Sequence, residues 1–205
     1  WPCDLGDLDA AVALVERAWD ELGSIDVLVN NAAIPKRRTI AELTPADLDD
    51  VMRVDFTSPA RMTMALLPRW LAADHGMVVN VSSLGGRLGI VHESAYCAAK
   101  FALCGFTESL ALDLWDTGVQ VRLIIPGPVD TEIWDQPDND APRYDGPLEP
   151  PATVAAGIVA AIEGDGFEHY LPDLKGIAEF KTADIDTFLE GAAAMGRDEP
   201  AGGTT

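Results

Sequence analysis

Met77-Val78-Val79-Asn80-Val81-Ser82-Ser83 decides the fold. Its apolar run does not alternate with polar residues, as expected of a strand covered on both faces, and two small hydroxyl residues end it. Similar runs stand on either side. Ile25 to Val29 leads into Asn30-Asn31-Ala32-Ala33, and Val119 to Ile125 stops at Pro126-Gly127-Pro128. Helical spacing fills the intervals. Residues 7–22 place Leu8, Ala11, Val15 and Trp19 on one face, with Asp7 as cap and Gly23 as stop. Thr44-Pro45-Ala46-Asp47 opens a helix that runs to about Ala73, with a kink expected at Pro59. A third helix covers about Ser94 to Thr117 and ends at Gly118. Thr153 to Glu163 reads as an alanine-rich helix, His169 to Leu171 as a last strand, and 174–192 as weakly helical. Strands separated by helices predict an α/β fold: a doubly wound parallel sheet in three αβα layers. Residues 1–192 read as a single domain and 193–205 as a disordered tail. The acid- and proline-rich segment 130–150 reads as a mobile surface loop.

Composition narrows the function. The chain has 205 residues, 48% hydrophobic and 23% charged, enough for one sizeable core. Acids outnumber bases 34 to 14, a formal charge of −20. Phosphate backbones and anionic lipid are repelled by such a chain, so neither nucleic acid nor a membrane is an expected partner. Three cysteines without a C-x-x-C spacing support neither a disulfide framework nor a metal site. No apolar run reaches the length of a membrane span and no signal peptide is visible, so the expected location is the cytoplasm.

Chemistry gathers where the strands end. Tyr96 and Lys100, four apart on a helix, share one face. Ser82-Ser83, Asn30-Asn31-Ala32-Ala33 and Pro126 to Thr131 all lie at carboxyl ends of strands, outside which parallel sheets bind ligands. An ammonium one turn from a phenol is expected to stabilise the phenolate and draw its pKa from about 10 toward neutrality. Tyr96 would then exchange a proton with a carbonyl or alcohol oxygen, and Ser83 would bond that same oxygen.

These pieces resemble the short-chain dehydrogenase/reductase family. The resemblance rests on Asp4, on Val29-Asn30-Asn31-Ala32-Ala33, on Asn80-Val81-Ser82-Ser83, on Tyr96-Cys97-Ala98-Ala99-Lys100 and on Pro126-Gly127-Pro128-Val129-Asp130-Thr131, with the step from Ser83 to Tyr96 that the family uses. It implies a Rossmann-like sheet and an oxidoreductase that moves hydride between NAD or NADP and a ketone or secondary alcohol. It implies Ser83, Tyr96, Lys100 and Asp55 as catalytic residues. Asp4 would accept the adenine edge, Asn30 and Ala32 would pack on the adenosine ribose, and Lys100 would bond the nicotinamide ribose. Pro126, Gly127 and Val129 would run beside the nicotinamide, and Thr131 would bond its carboxamide or the phosphates. Asn31 reads as a turn residue that pins the strand.

Two departures accompany the resemblance. Asp55 stands where the family has an asparagine whose backbone carbonyl holds a water in a relay to the lysine; a backbone role survives the change, whereas a charge near Lys100 would raise the lysine's pKa. The glycine-rich phosphate turn of the family is absent from the sequence. The expectation is therefore a fragment without the first two strand–helix units, exposing the edge of strand 25–29 and binding dinucleotide poorly by itself. The charge that selects NAD or NADP falls in the missing part.

Leu84, Gly85, Gly86, Leu88, Ile90, Val91, Trp134 and Tyr144 suggest an apolar substrate pocket. His92 reads as an exposed loop histidine, and His75 and His169 as structural or solvated. The wide apolar faces of helices 45–73 and 94–117 match those that pair subunits in the family, which implies a homodimer or homotetramer. Two rival functions remain: a nucleotide-sugar epimerase or dehydratase built on the same Tyr and Lys, and a catalytically silent nucleotide-binding protein.

Overall fold

The computed structural model describes residues 1–197. Helix α1 (Leu8–Leu22) begins on the Asp7 carboxylate, which accepts from the Ala10 N–H, and stops at Gly23 in the left-handed region. Strand β1 (Val27–Asn30) follows. Helix α2 (Pro45–Met52) opens on a capping box in which Thr44 and Asp47 satisfy each other's backbone N–H. A π-helical turn, Arg53–Thr57, then leads into α3 (Ser58–Ala73). Next come β2 (Gly76–Val81), α4 (Ser94–Asp113), β3 (Val119–Pro126), α5 (Pro151–Glu163), β4 (Glu168–Leu171), α6 (Lys175–Ala183) and α7 (Ile185–Arg197).

The strands form one parallel sheet in the order β1-β2-β3-β4. Its register pairs Asn30 with Asn80, Asn80 with Leu123, and Ile124 with His169. On one face Ala11 and Val15 of α1, Met62, Leu66 and Trp70 of α3, and Leu110 of α4 with its capping residue Leu114 pack on Val78, Val119 and Val121. On the other face α5 brings Ala161 against Met77, Val79, Val81 and Ile124. The three layers expected of the sequence are present. Burying a branched aliphatic side chain contributes roughly 1.5–3 kcal/mol, so these two clusters hold the sheet between its helices. Among the described residues β1 has a neighbour on one side only, and Val27 and Val29 remain 37% and 41% exposed.

Three expectations change. The helix from Thr44 is not kinked at Pro59; it widens just before it. Proline has no N–H for the Asp55 carbonyl, and Ser58 instead donates five residues back to Arg53. The stretch from 193, expected to be tail, is still α7 as far as Arg197, because Ala192-Ala193-Ala194 favours helix; residues 198–205 lie outside the described residues. Segment 130–150, expected to be mobile, carries a 3-10 turn at Glu132–Asp135 and a bridge between Val129 and Glu149, and it is tied down by basic residues of another loop.

Candidate active site

The floor of the site is laid by the end of β2. The turn after it presses on α4 so closely that a Cβ on Gly86 would sit 2.8 Å from the Lys100 carbonyl and 2.5 Å from the Ser82 hydroxyl. Ser83 caps this turn, its hydroxyl accepting from the Gly85 N–H at 3.1 Å, and a Cβ on Gly85 would lie 3.5 Å from that hydroxyl and 3.3 Å from the Tyr96 ring. One helical turn on, Lys100 is 1% exposed. Its ammonium donates to the Val81 carbonyl at 3.2 Å and lies 5.6 Å from the centre of the Tyr96 ring. Ser83, Tyr96 and Lys100 are therefore brought together at the carboxyl end of β2.

Asp55 reaches the same place from the π-turn and is 0% exposed. Its Oδ1 accepts from the Ile34 N–H at 2.8 Å, which ties the loop after β1 to the helix. Its Oδ2 stands 3.7 Å from the Lys100 Nζ and has no hydrogen-bond partner. The departure from the family's asparagine thus puts a second buried charge beside the lysine.

Burial dominates the electrostatics. It pushes the Asp55 carboxyl up to about 6, against the pull of Lys100 and the Ile34 N–H. Burial holds Lys100 below the ordinary lysine value, although Asp55 pulls the other way. It raises the Tyr96 phenol above its ordinary value, and the Asp55 charge adds to the rise, while the nearby Ser83 hydroxyl opposes it. The expectation that Lys100 draws the phenol toward neutrality is overturned: the ammonium is turned to Val81 and Asp55, and desolvation of the phenolate outweighs its help. The upward pull expected of a charge at Asp55 is present at Lys100, but burial outweighs it and the net shift is downward. Neighbouring thiols are inert by the same cause, burial raising Cys97 to about 11 and Cys104 above its usual value.

The expected cofactor residues are spread along the strand ends. Asp4 is exposed, and its Oδ1 accepts from the Gly6 N–H at 2.8 Å in the turn before α1. Asn30 is 5% exposed; its side chain points into the protein, donating to Asn80 at 2.8 Å and to Thr63 at 3.3 Å. Asn80 in turn donates to Thr107 at 2.9 Å. Ala32 is exposed in the following loop. Pro126 ends β3, and the Gly127 N–H bonds the Leu171 carbonyl at 3.0 Å. Val129 accepts from the Trp134 indole at 2.6 Å, and Thr131 caps the short turn that follows.

The sequence reading did not single out two groups. The ladder Thr63–Asn30–Asn80–Thr107 locks β1 and β2 in register under the site; a lone asparagine inside the apolar run 77–81 was its signal. The second group is Lys36-Arg37-Arg38. Arg37 is 3% exposed and donates to the carbonyls of Ile133, Trp134 and Asp140. Lys36 pairs with Asp47 at 2.9 Å and Asp138 at 2.7 Å, and Arg38 with Asp138 and Asp140. His92, expected to be exposed, is 21% exposed and stands 3.9 Å from Asp140. Its Nδ1 has no hydrogen-bond partner, and the positive φ of His92 turns its carbonyl toward the Arg38 N–H, which donates to it at 2.8 Å. A surface hollow of about 490 Å³ between Arg87, Phe101, Tyr170 and Lys181 includes none of the Ser83, Tyr96 and Lys100 side chains. Among the described residues no group of acids, cysteines and histidines could hold a metal ion.

A doubly wound α/β protein with a Tyr-x-x-x-Lys pair and a serine above the strand ends is the class that fold and site define. The chain belongs to the short-chain dehydrogenase family, whose model matches residues 1–141. It is 32% identical over 169 residues to the ketoacyl reductase HetN of Nostoc sp., covering 79% of this chain and 56% of that protein. It is 35% identical over 190 residues to galactitol 2-dehydrogenase of Agrobacterium fabrum, covering 91% and 71%. A metagenomic short-chain oxidoreductase solved with NADP superposes with a TM-score of 0.67 at 28% identity, covering 83% of this chain and 72% of that one. The chain spans little more than half the length of the first of these relatives.

Proposed function

We propose that this chain carries the proton-transfer site of an NAD(P)-dependent oxidoreductase that interconverts a ketone and a secondary alcohol. The observation that carries the reading is the convergence of Ser83, Tyr96 and Lys100 at one strand end, with the Ser83 hydroxyl and the Tyr96 ring both against Gly85 and the Lys100 ammonium 5.6 Å from the centre of that ring. In reduction the Tyr96 hydroxyl gives its proton to the carbonyl oxygen as that oxygen becomes negative; in oxidation it takes the proton back. Ser83, held by its place in the turn, bonds the same oxygen and orients it toward the phenol. Lys100 keeps a positive charge near the oxygens involved, and Asp55 completes the buried set.

The residues fit a nicotinamide nucleotide. An ammonium has three donors; with one on Val81 and one directed to Asp55, Lys100 keeps a third for a ribose hydroxyl. Asn30 and Ala32 would flank the adenosine side, Pro126, Gly127, Val129 and Thr131 the nicotinamide side, and Asp4 the adenine edge. When bound, the nucleotide supplies or accepts the hydride. NADP in the metagenomic relative, and relatives named as a ketoacyl reductase and a galactitol dehydrogenase, support this chemistry. The substrate is a small-molecule ketone or secondary alcohol. A second copy of the chain would cover the apolar side chains left outside on α3, α4 and the turn after α4, where Met64, Leu112 and Trp115 are 61%, 73% and 80% exposed.

The test is turnover of a ketone panel followed by NADH and NADPH absorbance. Tyr96→Phe, which removes the transferable proton and keeps the ring, lowers kcat by about 10²–10⁴-fold. Turnover that survives this change at the native rate refutes the proposal.

A further inference from the structure

We infer that Arg37 is a specificity-determining residue: it fixes an arch across the end of β2, and the arch limits the site to compact ketones and alcohols. The inference rests on reading Ser83 and Tyr96 as the groups that meet the substrate oxygen.

The arch follows from the sheet order. Strand β2 lies between β1 and β3, so the chain leaves the carboxyl ends of β1 and β3 two strand spacings apart, about 10 Å, with the end of β2 between them. The two loops that start there are joined. Residues 36–38 belong to the loop after β1 and residues 133–140 to the loop after β3. A join between them has to cross the end of β2, where Ser83 stands. It crosses on the side where α4 begins, because the Arg38 N–H donates to the carbonyl of His92, four residues before Tyr96. The near foot of the arch is fixed to the floor, since the Ile34 N–H is bonded to Asp55.

Arg37 holds the join rigid. Its buried guanidinium donates to the carbonyls of Asp140, Ile133 and Trp134. Its main chain grips the same loop: the N–H donates to the Asn139 side chain at 2.7 Å, and the carbonyl accepts from the Asp140 N–H at 2.9 Å. The guanidinium also lies 5.8 Å from the centre of the Trp134 ring, and that indole donates to the Val129 carbonyl at 2.6 Å. The contacts thus run from the loop after β1 to Val129, beside the proposed nicotinamide position. Releasing the loop would strand a charged donor and its carbonyl partners inside the protein, so the loop does not swing outward to admit a wide substrate. The ion pairs of Lys36 and Arg38 lie outside this centre. Their partner Asp138 is 73% exposed, and water replaces such pairs at little cost. Arg37 therefore sets the height of the roof and the ion pairs trim its edge.

Arg37→Met keeps an apolar stem and removes every side-chain donor. The readout is kcat/KM for cyclohexanone divided by kcat/KM for α-tetralone, whose fused ring adds bulk beside the carbonyl. In Arg37→Met this ratio falls on the order of tenfold, chiefly through a lower KM for α-tetralone. Lys36→Gln with Arg38→Gln leaves the guanidinium in place and moves the ratio less. A merely structural role of Arg37 lowers both rates alike; an unchanged ratio overturns the inference, and so does a double variant that moves it as far as Arg37→Met. Should Arg37→Met not fold, Arg37→Lys, which keeps the charge but loses the planar fork, shows the same change at smaller size. A second measurement needs no turnover. Hydrogen exchange of peptide 131–141, followed by mass spectrometry, is faster in Arg37→Met than in the native chain, while that of β2 is unchanged. Equal exchange in 131–141 overturns the hold of Arg37 on the arch. A chain that reduces no ketone but shows this local opening refutes the proposed reaction and upholds that hold.

Discussion

At the floor of the crevice Asp55 and Lys100 stand 3.7 Å apart, with side chains 0% and 2% exposed. At its rim Lys36 lies 2.7 Å from Asp138, whose side chain is 73% exposed. The partners are chemically the same and their states are opposite. At the rim the lysine is raised and the aspartate lowered from their ordinary values, first by the hydrogen bond between them. At the floor the aspartate is raised and the lysine lowered, first by burial. Water at the rim solvates whatever the pair leaves unsatisfied, so attraction decides the sign. Without water at the floor, the cost of holding either charge exceeds what one partner at 3.7 Å returns. A surface pair is a fastening; a buried pair is a pair of titrating groups under strain, useful where proton affinity matters.

The largest effect tests the floor. Lys100→Met leaves Asp55 buried without its partner and lowers unfolding stability by about 3–5 kcal/mol, read from urea denaturation. Adding Asp55→Leu returns most of the loss, because two apolar groups leave no orphaned charge; a double variant as weak as the single one would break the comparison.

A smaller effect fixes the sign. The folded Asp55 carboxyl holds its proton up to about 6, whereas an ordinary aspartate loses it near 3.8. A raised carboxyl stabilises the fold below the unfolded value, and this contribution is lost as pH rises through the folded one. The native chain therefore loses stability relative to Asp55→Asn between about pH 4 and about pH 6, by up to about 3 kcal/mol. Urea midpoints of both proteins at the two ends of that window check it; a constant difference contradicts it.

The smallest effect belongs to the rim. Lys36→Gln with Arg38→Gln frees the 130–140 loop and speeds its cleavage by a protease severalfold, with little change in global stability. About 0.5 M salt does the same to the native chain and leaves its stability difference from Asp55→Asn in place, because screening reaches exposed pairs and spares buried ones.

Most of the fold was legible because its signals are local. Apolar runs marked β1, β2 and β3, and the Asp7, Thr44 and Gly23 boundaries of the first helices fell where their side chains cap or release the backbone. Ser83, Tyr96 and Lys100 were legible too, since a strand end and one helical turn fix where they stand. The rim was not legible: Lys36 and Asp138 are 102 residues apart, and no local pattern joins a basic triplet to a distant acidic loop. The inward turn of Asp55 was hidden as well, because a helix with one extra residue in a turn rotates every side chain after it.

By itself the sequence determined which residues meet at the strand ends, because backbone periodicity carries them there. Only the tertiary structure decided what those residues do to one another. Proton affinity depends on how much water is excluded and on which oxygen is left without a partner, and both are properties of packing between segments distant in the chain.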